Sequence, residues 1–362
     1  MTGGGVYPAL AVLQAVKHQA DQVLWIGSKS QMEHVLLAGM DVDYRAIPAA
    51  GLHGIGLLSL PGNLVELARG WHAARELINQ FRPHVILYTG GYIGVPVSAA
   101  AGRIPSVVFV PDIEPGLAHK FLLRKAAAIA VTTQDSKKLI RTGVESTVTG
   151  YPVRNDLFLW KRASARKHFG LSAADTVLLV FGGSKGAHSI NSALVSILAN
   201  LLQEIHIIHI SGVDNWADVQ KAGTLLDPEL GIRYHAFPFL HGEMGAALAA
   251  ADLVVCRAGA STLGELPAFG LPAVLVPYPH AWRYQTRNAQ YLAQRGGAVV
   301  MEDSEMANNL LSVIRDLIHD SSRLESMRSA MKALHTPHAA DQIAQMLVKA
   351  ASGALEEEVI DG

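Results

Sequence analysis

The sequence is poor in charged residues and has almost no cysteine. Only 17% of its 362 residues are Asp, Glu, Lys or Arg, and the formal net charge is −1, which excludes a globally basic nucleic-acid-binding protein. The single cysteine, Cys256, cannot form a disulfide within the chain and fits a reducing compartment. The 16 histidines are scattered, and no His and Cys group has the spacing of a metal site.

The sequence also lacks the patterns of a signal peptide and of a membrane-spanning helix. Met1 is followed directly by Thr-Gly-Gly-Gly, without a charged segment. Two charge-free windows are long enough to span a bilayer, Ala46–Val65 and Pro83–Gly102, but Gly and Pro interrupt both. What remains is an apolar chain of mean hydropathy +0.23, long enough for two domains of ~150–200 residues.

Short apolar runs alternate with helical patterns through both halves of the chain. This order predicts an α/β protein with two Rossmann-like, doubly wound domains. Gly and Pro punctuate residues 150–152, and the composition becomes more charged from Lys161 onward. We predict an N-terminal domain over residues 1–150, a C-terminal domain over 151–338, and a C-terminal helix and tail over 339–362 that can cross back to the N-terminal domain.

The stretch from Asp252 to Asn288 carries the clearest signs of a ligand site. A four-residue apolar strand is predicted at Leu253–Cys256, and a glycine turn leads from it to Ser261 and Thr262 at the start of a helix. Such a helix start offers free amides and partial positive charge to a phosphate. Glu265 follows one turn later, where its carboxylate can accept hydrogen bonds from two ribose hydroxyls. An ordinary strand–turn–helix unit with a capped helix fits these features equally well.

A second glycine turn follows the predicted strand Thr176–Phe181. It reads Gly-Gly-Ser-Lys-Gly and opens a helix at about Ser189, so its amides and the Ser184 hydroxyl can approach an anion. It has neither the Walker A spacing nor the Gly-x-Gly-x-x-Gly spacing, so ATP and NAD fit it poorly.

These motifs resemble the donor site of the GT-B glycosyltransferases of family 28, and more narrowly the MurG type that makes lipid II. The matching pieces are Cys-Arg-Ala-Gly-Ala with Thr262 and Glu265, Gly-Leu-Pro-Ala, and Pro-Tyr-Pro-His with Gln285 and Asn288. The resemblance implies two domains facing across a cleft. It also implies inverting transfer of N-acetylglucosamine from UDP-N-acetylglucosamine to the 4-hydroxyl of the muramyl sugar of lipid I.

The same resemblance implies the partners and the location. The partners would be UDP-N-acetylglucosamine, an undecaprenyl-linked lipid acceptor and the cytoplasmic membrane surface, with no nucleic acid. The enzyme would be peripheral, at the cytoplasmic face of the cell membrane. No tightly bound cofactor is implied, and Mg²⁺ would accompany the substrate diphosphates.

The resemblance assigns substrate-binding roles residue by residue. Glu265 would bind ribose, Arg154 and Ser184 the diphosphate, and the backbone at Leu240 the uracil edge. The full substrate-binding set is Thr2, Gly3, Gly4, Arg154, Ser184, Leu240, Ala260, Ser261, Thr262, Leu263, Gly264, Glu265 and Gln285.

The acceptor side departs from the family at two places. The family's histidine after Thr-Gly-Gly falls on Gly5, and its His-Glu-Gln-Asn run is replaced by Phe-Val-Pro-Asp at residues 109–112. The acceptor hydroxyl needs a base, and Asp112 at the predicted end of a strand is our candidate.

Two further expectations concern the N-terminal domain. The turn at Thr2–Gly5 would normally follow an interior strand, and only Met1 precedes it, so we expect a gap or a re-paired sheet at that place. The uncharged segment Gly51–Pro61, next to the predicted helix Asn63–Phe81, fits a shallow membrane contact, a mobile lid or plain packing. The stripe of that helix, from Leu64 through Trp71 to Phe81, fits core packing.

Three alternatives to lipid II synthesis remain at this point. The altered loop at 109–114 allows a related glycolipid synthase with another acceptor. The same fold serves UDP-N-acetylglucosamine 2-epimerases, which change the sugar within one molecule. The absent first strand and Gly5 also fit a catalytically inactive UDP-sugar-binding homologue.

Overall fold

The computed structural model describes residues 3–28, 33, 36–37, 40–49, 60–183, 186–240, 242–280 and 283–360. The chain divides into two compact units: unit 1 is Met1–Pro152 with His338–Gly362, and unit 2 is Val153–Pro337. The C-terminal helix therefore belongs to unit 1. Among the described residues, no helix combines the length and the hydropathy needed to cross a membrane.

Unit 1 is built from parallel strands and the helices that follow them. Its strands are β1 (Leu24–Gly27), β2 (Asp43–Ala46), β3 (Ile86–Tyr88), β4 (Ser106–Val110), β5 (Ala128–Val131) and β6 (Ser146–Val148). Its helices are α1 (Gly3–Val16), α2 (Leu60–Phe81), α3 (Gly94–Ala100), α4 (Leu117–Leu122) and α5 (Gln134–Leu139), and, after the whole of unit 2, the last helix of the chain (Ala339–Ile360).

The described strands of unit 1 form two sheets. β3, β4, β5 and β6 pair in that order, all parallel, while β1 pairs in parallel with β2 alone. Every residue of β4 is buried, as its continuous apolar sequence requires for a strand covered on both faces. The gap expected in this unit is present, because no described strand lies between β1 and β3.

The helix α2 differs from the expected core helix. Ala74 and Ile78 are buried as predicted, but Leu64 is 55% exposed and Trp71 is 37% exposed. The apolar stripe therefore contributes to the core only in its C-terminal half. The segment from 51 to 59 lies outside the described residues.

Unit 2 contains one six-stranded parallel sheet. Its strands are β7 (Val177–Phe181), β8 (His206–Ile210), β9 (Tyr234–Phe237), β10 (Leu253–Cys256), β11 (Ala273–Leu275) and β12 (Ala298–Val300). Its helices are α6 (Arg162–His168), α7 (His188–Leu202), α8 (Trp216–Thr224), α9 (Pro228–Gly231), α10 (Met244–Ala250), α11 (Thr262–Phe269), α12 (Tyr284–Gln294), α13 (Met306–Ile318) and α14 (Ser321–Ala333). The last helix of the chain, which belongs to unit 1, is α15.

The strand order in unit 2 is β12-β11-β10-β7-β8-β9. The chain builds outward from β7 through β8 to β9, and then returns to the other side of β7 to build β10, β11 and β12. One large core lies between this sheet and the helices α7 and α13, with Leu194 and Ile314 fully buried in it. The order reverses between β7 and β10, which is the switch point where open parallel sheets bind their ligands.

Candidate active site

The two glycine turns singled out in the sequence meet at this switch point. β7 and β10 are hydrogen-bonded neighbours, and their last residues, Phe181 and Cys256, are opposite each other in the ladder. Both turns therefore leave the sheet at the same level and on the same edge. The loops after β8, β9 and β11 leave from that edge too, because all the strands are parallel.

The turn after β7 depends on glycine at two positions. Gly183 has φ +94° and Gly186 has φ +79°, a backbone conformation that residues with a side chain rarely adopt. A Cβ atom on Gly186 would also lie 2.1 Å from the Ser211 carbonyl oxygen in the loop after β8. The turn thus packs backbone to backbone against its neighbour. Ser184 lies outside the described residues.

The loop after β10 presents the start of α11. Thr262 and Leu263 donate their amides back to the carbonyls of Gly259 and Ala260, at 3.0 and 3.1 Å. The amides of Gly259, Ala260 and Ser261 have no acceptor within the described part of the chain. Amides of this kind at the start of a helix are suited to an anion, which the α11 dipole also favours.

The hydroxyls at this helix start do not act as the sequence suggested. Ser261 occupies the N-cap position without capping the helix through its side chain. Its side chain instead hydrogen-bonds the Glu265 carboxylate. The Thr262 hydroxyl donates to the Gly259 carbonyl at 2.7 Å and so closes the turn. Ser261 therefore lies at the predicted start of the helix, but its hydroxyl bonds a carboxylate one turn away and does not cap the helix.

Glu265 is the most perturbed carboxyl group of the site. It is 8% exposed, and burial raises its pKa to about 7 from an ordinary value of 4.5. The Arg154 charge and the Ser261 hydrogen bond counteract this effect, while the nearby Asp156 adds to it. A buried carboxyl with one local donor has remaining acceptor capacity, which two hydroxyls of a ribose could use.

Arg154 lies beside Glu265 and forms an ion pair with Asp156 at 3.1 Å. Its side chain is only 11% exposed, so the cation is held near the site and is not freely solvated. The structure thus brings Arg154, Ser261 and Glu265 together, which are three of the residues that the sequence named.

The loop after β11 and the helix that follows it are hydrogen-bonded to each other and to the loop after β10. The Gln285 side-chain oxygen accepts the Tyr278 amide at 2.9 Å. Asn288, which is fully buried, donates its side-chain amide to the Ala258 carbonyl at 3.1 Å. Asn288 therefore joins helix α12 to the loop that carries the Gly259, Ala260 and Ser261 amides.

A buried arginine that the sequence analysis gave no role connects three parts of this edge. Arg257 forms an ion pair with Asp303 and donates to the Ser189 hydroxyl at 2.7 Å. It also donates to the Val276 carbonyl at 3.3 Å, and its guanidinium lies 5.3 Å from the centre of the Tyr278 ring. Arg257 is thus a positioning residue for both glycine turns and for the loop after β11.

The loop after β9 contains Leu240, the residue expected next to uracil. Leu240 is buried, whereas His241 lies outside the described residues. β9 is three strands away from β10 in the sheet, and neighbouring strands lie ~4.8 Å apart. This loop and the amides after β10 are therefore on the order of 14 Å apart along the edge, a separation suited to the two ends of one extended nucleotide.

In unit 1, the first turn of α1 contacts the residues that follow β3. The Thr89 hydroxyl donates to the Gly5 carbonyl at 2.6 Å, so the end of β3 contacts the start of α1. Gly3 and Gly4 are the first residues of α1, and Thr2 lies outside the described residues. Gly90 has φ +116° and faces the His119 ring, which a Cβ atom would approach to 2.7 Å.

Asp112 lies directly after β4, on the same edge of unit 1. It is half-buried, and Thr132 holds the preceding residue by donating to the Pro111 carbonyl at 2.8 Å. His119, a histidine near this edge without a predicted role, is buried, and burial lowers its pKa to about 4. The His119 imidazole is therefore neutral and enclosed, and it packs against Gly90. Of His119 and Asp112, only Asp112 is accessible as an acid–base group.

Within the described residues, no group of three or more His, Cys, Asp or Glu side chains is arranged to hold a metal ion.

Comparison with known proteins identifies the family. Residues 2–131 match the glycosyltransferase family 28 N-terminal domain, and residues 177–343 match the glycosyltransferase family 28 C-terminal domain. A UDP-N-acetylglucosamine–N-acetylmuramyl-(pentapeptide) pyrophosphoryl-undecaprenol N-acetylglucosamine transferase of Roseiflexus sp. (strain RS-1) is 40% identical over 96% of this chain and 92% of that protein. The chain belongs to glycosyltransferase family 28.

Solved structures agree with membership of family 28. The crystal structure of MurG from Acinetobacter baumannii matches with a TM-score of 0.72 and 25% identity over 96% of both chains. A UDP-GlcNAc 2-epimerase from Neisseria meningitidis, bound to UDP-GlcNAc, matches with a TM-score of 0.70 and 14% identity over 96% of this chain and 98% of that one, a likeness of fold alone. The expected family and the GT-B fold are confirmed, and the chain is a glycosyltransferase.

Proposed function

We propose that this family 28 enzyme transfers N-acetylglucosamine from UDP-N-acetylglucosamine to the 4-hydroxyl of the muramyl sugar of lipid I. The product is lipid II, the lipid-linked disaccharide used to build peptidoglycan. The names of the full-length relatives at 40% and 36% identity support this donor group and this acceptor.

One observation carries the donor half of the proposal. At the switch point of unit 2, Glu265 is buried next to Arg154, one turn beyond the amides of Gly259, Ala260 and Ser261, which bond no acceptor among the described residues. A nucleoside diphosphate offers two ribose hydroxyls to a carboxylate and a dianion to amides and arginine. This site provides both kinds of partner in one place.

The same groups favour the transition state of sugar transfer. As the bond between the sugar and the diphosphate breaks, negative charge grows on the departing UDP, and fixed amide dipoles and Arg154 stabilise it more than they stabilise the bound donor. A helix N-terminus contributes ~0.3–1 kcal/mol, or about 2 kcal/mol when partly buried. A tenfold rate increase needs ~1.4 kcal/mol, so several donors must act together.

On the acceptor side, we assign the base to Asp112. The 4-hydroxyl attacks the anomeric carbon, the bond to UDP breaks, and the hydroxyl proton passes to a base. Asp112 extends from the end of β4 and is half-buried, whereas His119 is enclosed. Mg²⁺ accompanying the substrate diphosphates is part of the same proposal, and a transfer assay repeated with EDTA measures its contribution.

We assign contact with the cytoplasmic membrane surface to the outer face of α2, which would place the enzyme peripherally. Leu64 and Val65 are 55% and 50% exposed, and Trp71 lies on the same helix with the Arg75 guanidinium 5.4 Å from its ring centre. Exposed aliphatic side chains with an interfacial tryptophan and basic residues are typical of helices that lie on anionic membranes.

The decisive experiment is product analysis with labelled UDP-N-acetylglucosamine and a soluble lipid I analogue. We expect one N-acetylglucosamine to be added to the muramyl 4-hydroxyl, with release of one UDP. Transfer only to a different glycolipid would indicate another acceptor, and formation of the C2 epimer of the donor would indicate an epimerase.

Calorimetric titration with UDP-N-acetylglucosamine separates an inactive homologue from the enzyme. Glu265→Ala should weaken binding, whereas Glu229→Gln, which changes an exposed carboxylate on α9, should bind the donor normally. Donor binding without turnover on any acceptor would refute the proposed reaction while leaving the donor site intact.

A further inference from the structure

Three polar side chains in unit 2 form a hydrogen-bonded row that ends on the loop after β8, here called the Tyr–His–Asn chain. The Tyr234 hydroxyl lies 2.7 Å from His209 Nδ1, and His209 Nε2 lies 3.0 Å from Asn191 Oδ1. The Asn191 side-chain amide donates to the Ser211 carbonyl oxygen at 2.8 Å. His209 and Ser211 are fully buried, and Asn191 is nearly so. The Tyr–His–Asn chain thus joins β9, β8 and α7 to one loop of the active-site edge.

Each hydrogen bond of the Tyr–His–Asn chain has one possible direction. A carbonyl oxygen only accepts, so Asn191 must turn its nitrogen toward Ser211 and its oxygen toward His209. His209 Nε2 must then carry the proton. Burial lowers the pKa of His209 to about 4, so the ring is neutral and its Nδ1 is an acceptor. The Tyr234 hydroxyl therefore donates, and the orientation of Asn191 is fixed from both ends.

The Ser211 carbonyl also meets the glycine turn after β7. A Cβ atom on Gly186 would lie 2.1 Å from this oxygen, so the Gly186 backbone packs directly against it. Asn191 stands in the first turns of α7, the helix that this glycine turn opens. Asn191 therefore holds the loop after β8 against the turn that precedes its own helix.

Packing alone does not explain polar residues at these positions. His209 points to the same face of β8 as Ile207, which is fully buried in the apolar core between the sheet and α7. Apolar side chains would fill this space without the cost of desolvating an imidazole and an amide. The polar side chains instead supply a fixed geometry, because a satisfied buried network holds its members in one arrangement.

We propose that Asn191, oriented by His209 and Tyr234, is a positioning residue for donor binding. By fixing the Ser211 carbonyl, Asn191 fixes the glycine turn packed on it, and with that turn the place offered to the donor diphosphate. The inference rests on the proposed function, because it takes this turn as part of the diphosphate site. The Tyr–His–Asn chain should therefore control affinity for the diphosphate and leave affinity for the nucleoside, which is assigned to Glu265, unchanged.

The test compares two substitutions of His209. Glutamine extends about as far as the histidine Nε2 and can still donate an N–H to Asn191, whereas leucine cannot. Each full-length variant is titrated with UDP by calorimetry and with uridine by ligand-observed NMR. We expect His209→Leu to weaken UDP binding about tenfold, as for the loss of one hydrogen bond to a charged group, at unchanged uridine affinity. His209→Gln should bind both ligands like the parent.

Two further variants separate positioning from stability. Tyr234→Phe removes one hydroxyl and keeps the ring in place, so it tests the Tyr–His–Asn chain even where His209→Leu fails to fold. It should weaken UDP binding selectively too, because the His209 proton can then move to Nδ1 and Asn191 loses its fixed orientation. Leu198→Ala changes a buried side chain of α7 outside the Tyr–His–Asn chain. This control should lower the melting temperature and leave both affinities unchanged.

The outcomes distinguish this inference from the proposed function. Selective loss of UDP affinity in His209→Leu and Tyr234→Phe, with recovery in His209→Gln, supports the positioning role. Parent-like UDP affinity in Tyr234→Phe and in folded His209→Leu overturns it, and so does an equal loss of UDP and uridine affinity. A similar loss of UDP affinity in Leu198→Ala also overturns it, because the effect would then follow stability. A parent protein that does not bind UDP refutes the donor site itself, and this inference with it.

Discussion

Replacing Glu265 by glutamine separates the energetic cost of its buried carboxyl from its proposed contact with ribose. Burial raises the pKa of this group from 4.5 to about 7. Because the folded-state pKa is the higher one, the folded protein binds the proton more tightly than the unfolded chain does. The stability that this proton provides is fully present below pH 4.5 and is lost as the pH rises toward 7.

The size of the effect follows from the shift. About 2.5 units at 1.36 kcal/mol each give a loss of roughly 3 kcal/mol between acidic pH and pH 8. Glutamine has a similar shape and does not titrate, so Glu265→Gln should avoid this loss. For a unit of this size 1 kcal/mol corresponds to about 2–4 °C, so the variant should melt roughly 6–12 °C higher than the parent at pH 8. At pH 5 the loss is only ~0.8 kcal/mol, so the difference should fall to about 2–3 °C.

The assay combines thermal unfolding at pH 5 and pH 8 with calorimetric titration of UDP. Hydrogen bonds to a charged group are worth about 1.5–3 kcal/mol, so the stabilised variant should nevertheless bind UDP at least ~10-fold more weakly. Glu229→Gln, at an exposed position of the same unit, should match the parent in both measurements. Unchanged UDP affinity would refute the ribose contact, and a melting difference that is independent of pH would refute the buried titrating carboxyl.

Three further changes test other parts of the enzyme. Asp112→Asn should lower kcat by about 10²–10⁴-fold at unchanged UDP affinity, and a normal kcat would exclude Asp112 as the base. Trp71→Ser should weaken binding to anionic vesicles in a sedimentation assay. The control Leu159→Ser changes a side chain of unit 2 that is 79% exposed and should leave vesicle binding unchanged. Equal vesicle binding by the two variants would exclude α2 as the contact. Gly186→Ala should weaken UDP binding and lower the melting temperature of unit 2, because its Cβ would overlap the Ser211 carbonyl; parent-like values would show that the turn can move aside.

The sequence predicted the interior strands well because their signal is local. The predicted strand Leu253–Cys256 has the bounds of β10, and the predicted strand Thr176–Phe181 begins one residue before β7. Each is a short apolar run that needs no knowledge of its partner to be identified. The stripe of α2 shows the limit of such patterns, because apolar spacing alone cannot tell whether Leu64 meets a core or an outer surface.

The parts of the site that the sequence missed depend on contacts between distant positions. Arg257 stands 46 residues before Asp303 and 68 after Ser189, so nothing in its own neighbourhood indicates that it ties these elements together. Ser261 was predicted as a cap from its residue type, but its hydroxyl serves the Glu265 carboxylate. Residue types and spacing located the glycine turns and the carboxylate; only the folded sheet shows which of these groups share a network.

The position of Glu265 links donor binding to ionisation. In the free protein its charge is opposed by burial and only partly stabilised by Arg154 and Ser261, so at neutral pH the protonated and ionised forms are both populated. Two ribose hydroxyls donating to this carboxylate would stabilise the ionised form alone. Binding therefore lowers the pKa of Glu265, and donor affinity increases as the pH rises through 7 and levels off above it. A surface carboxylate could accept the same two hydrogen bonds, but water would compete for them; the burial that destabilises unit 2 is also what makes the contact with the nucleotide strong.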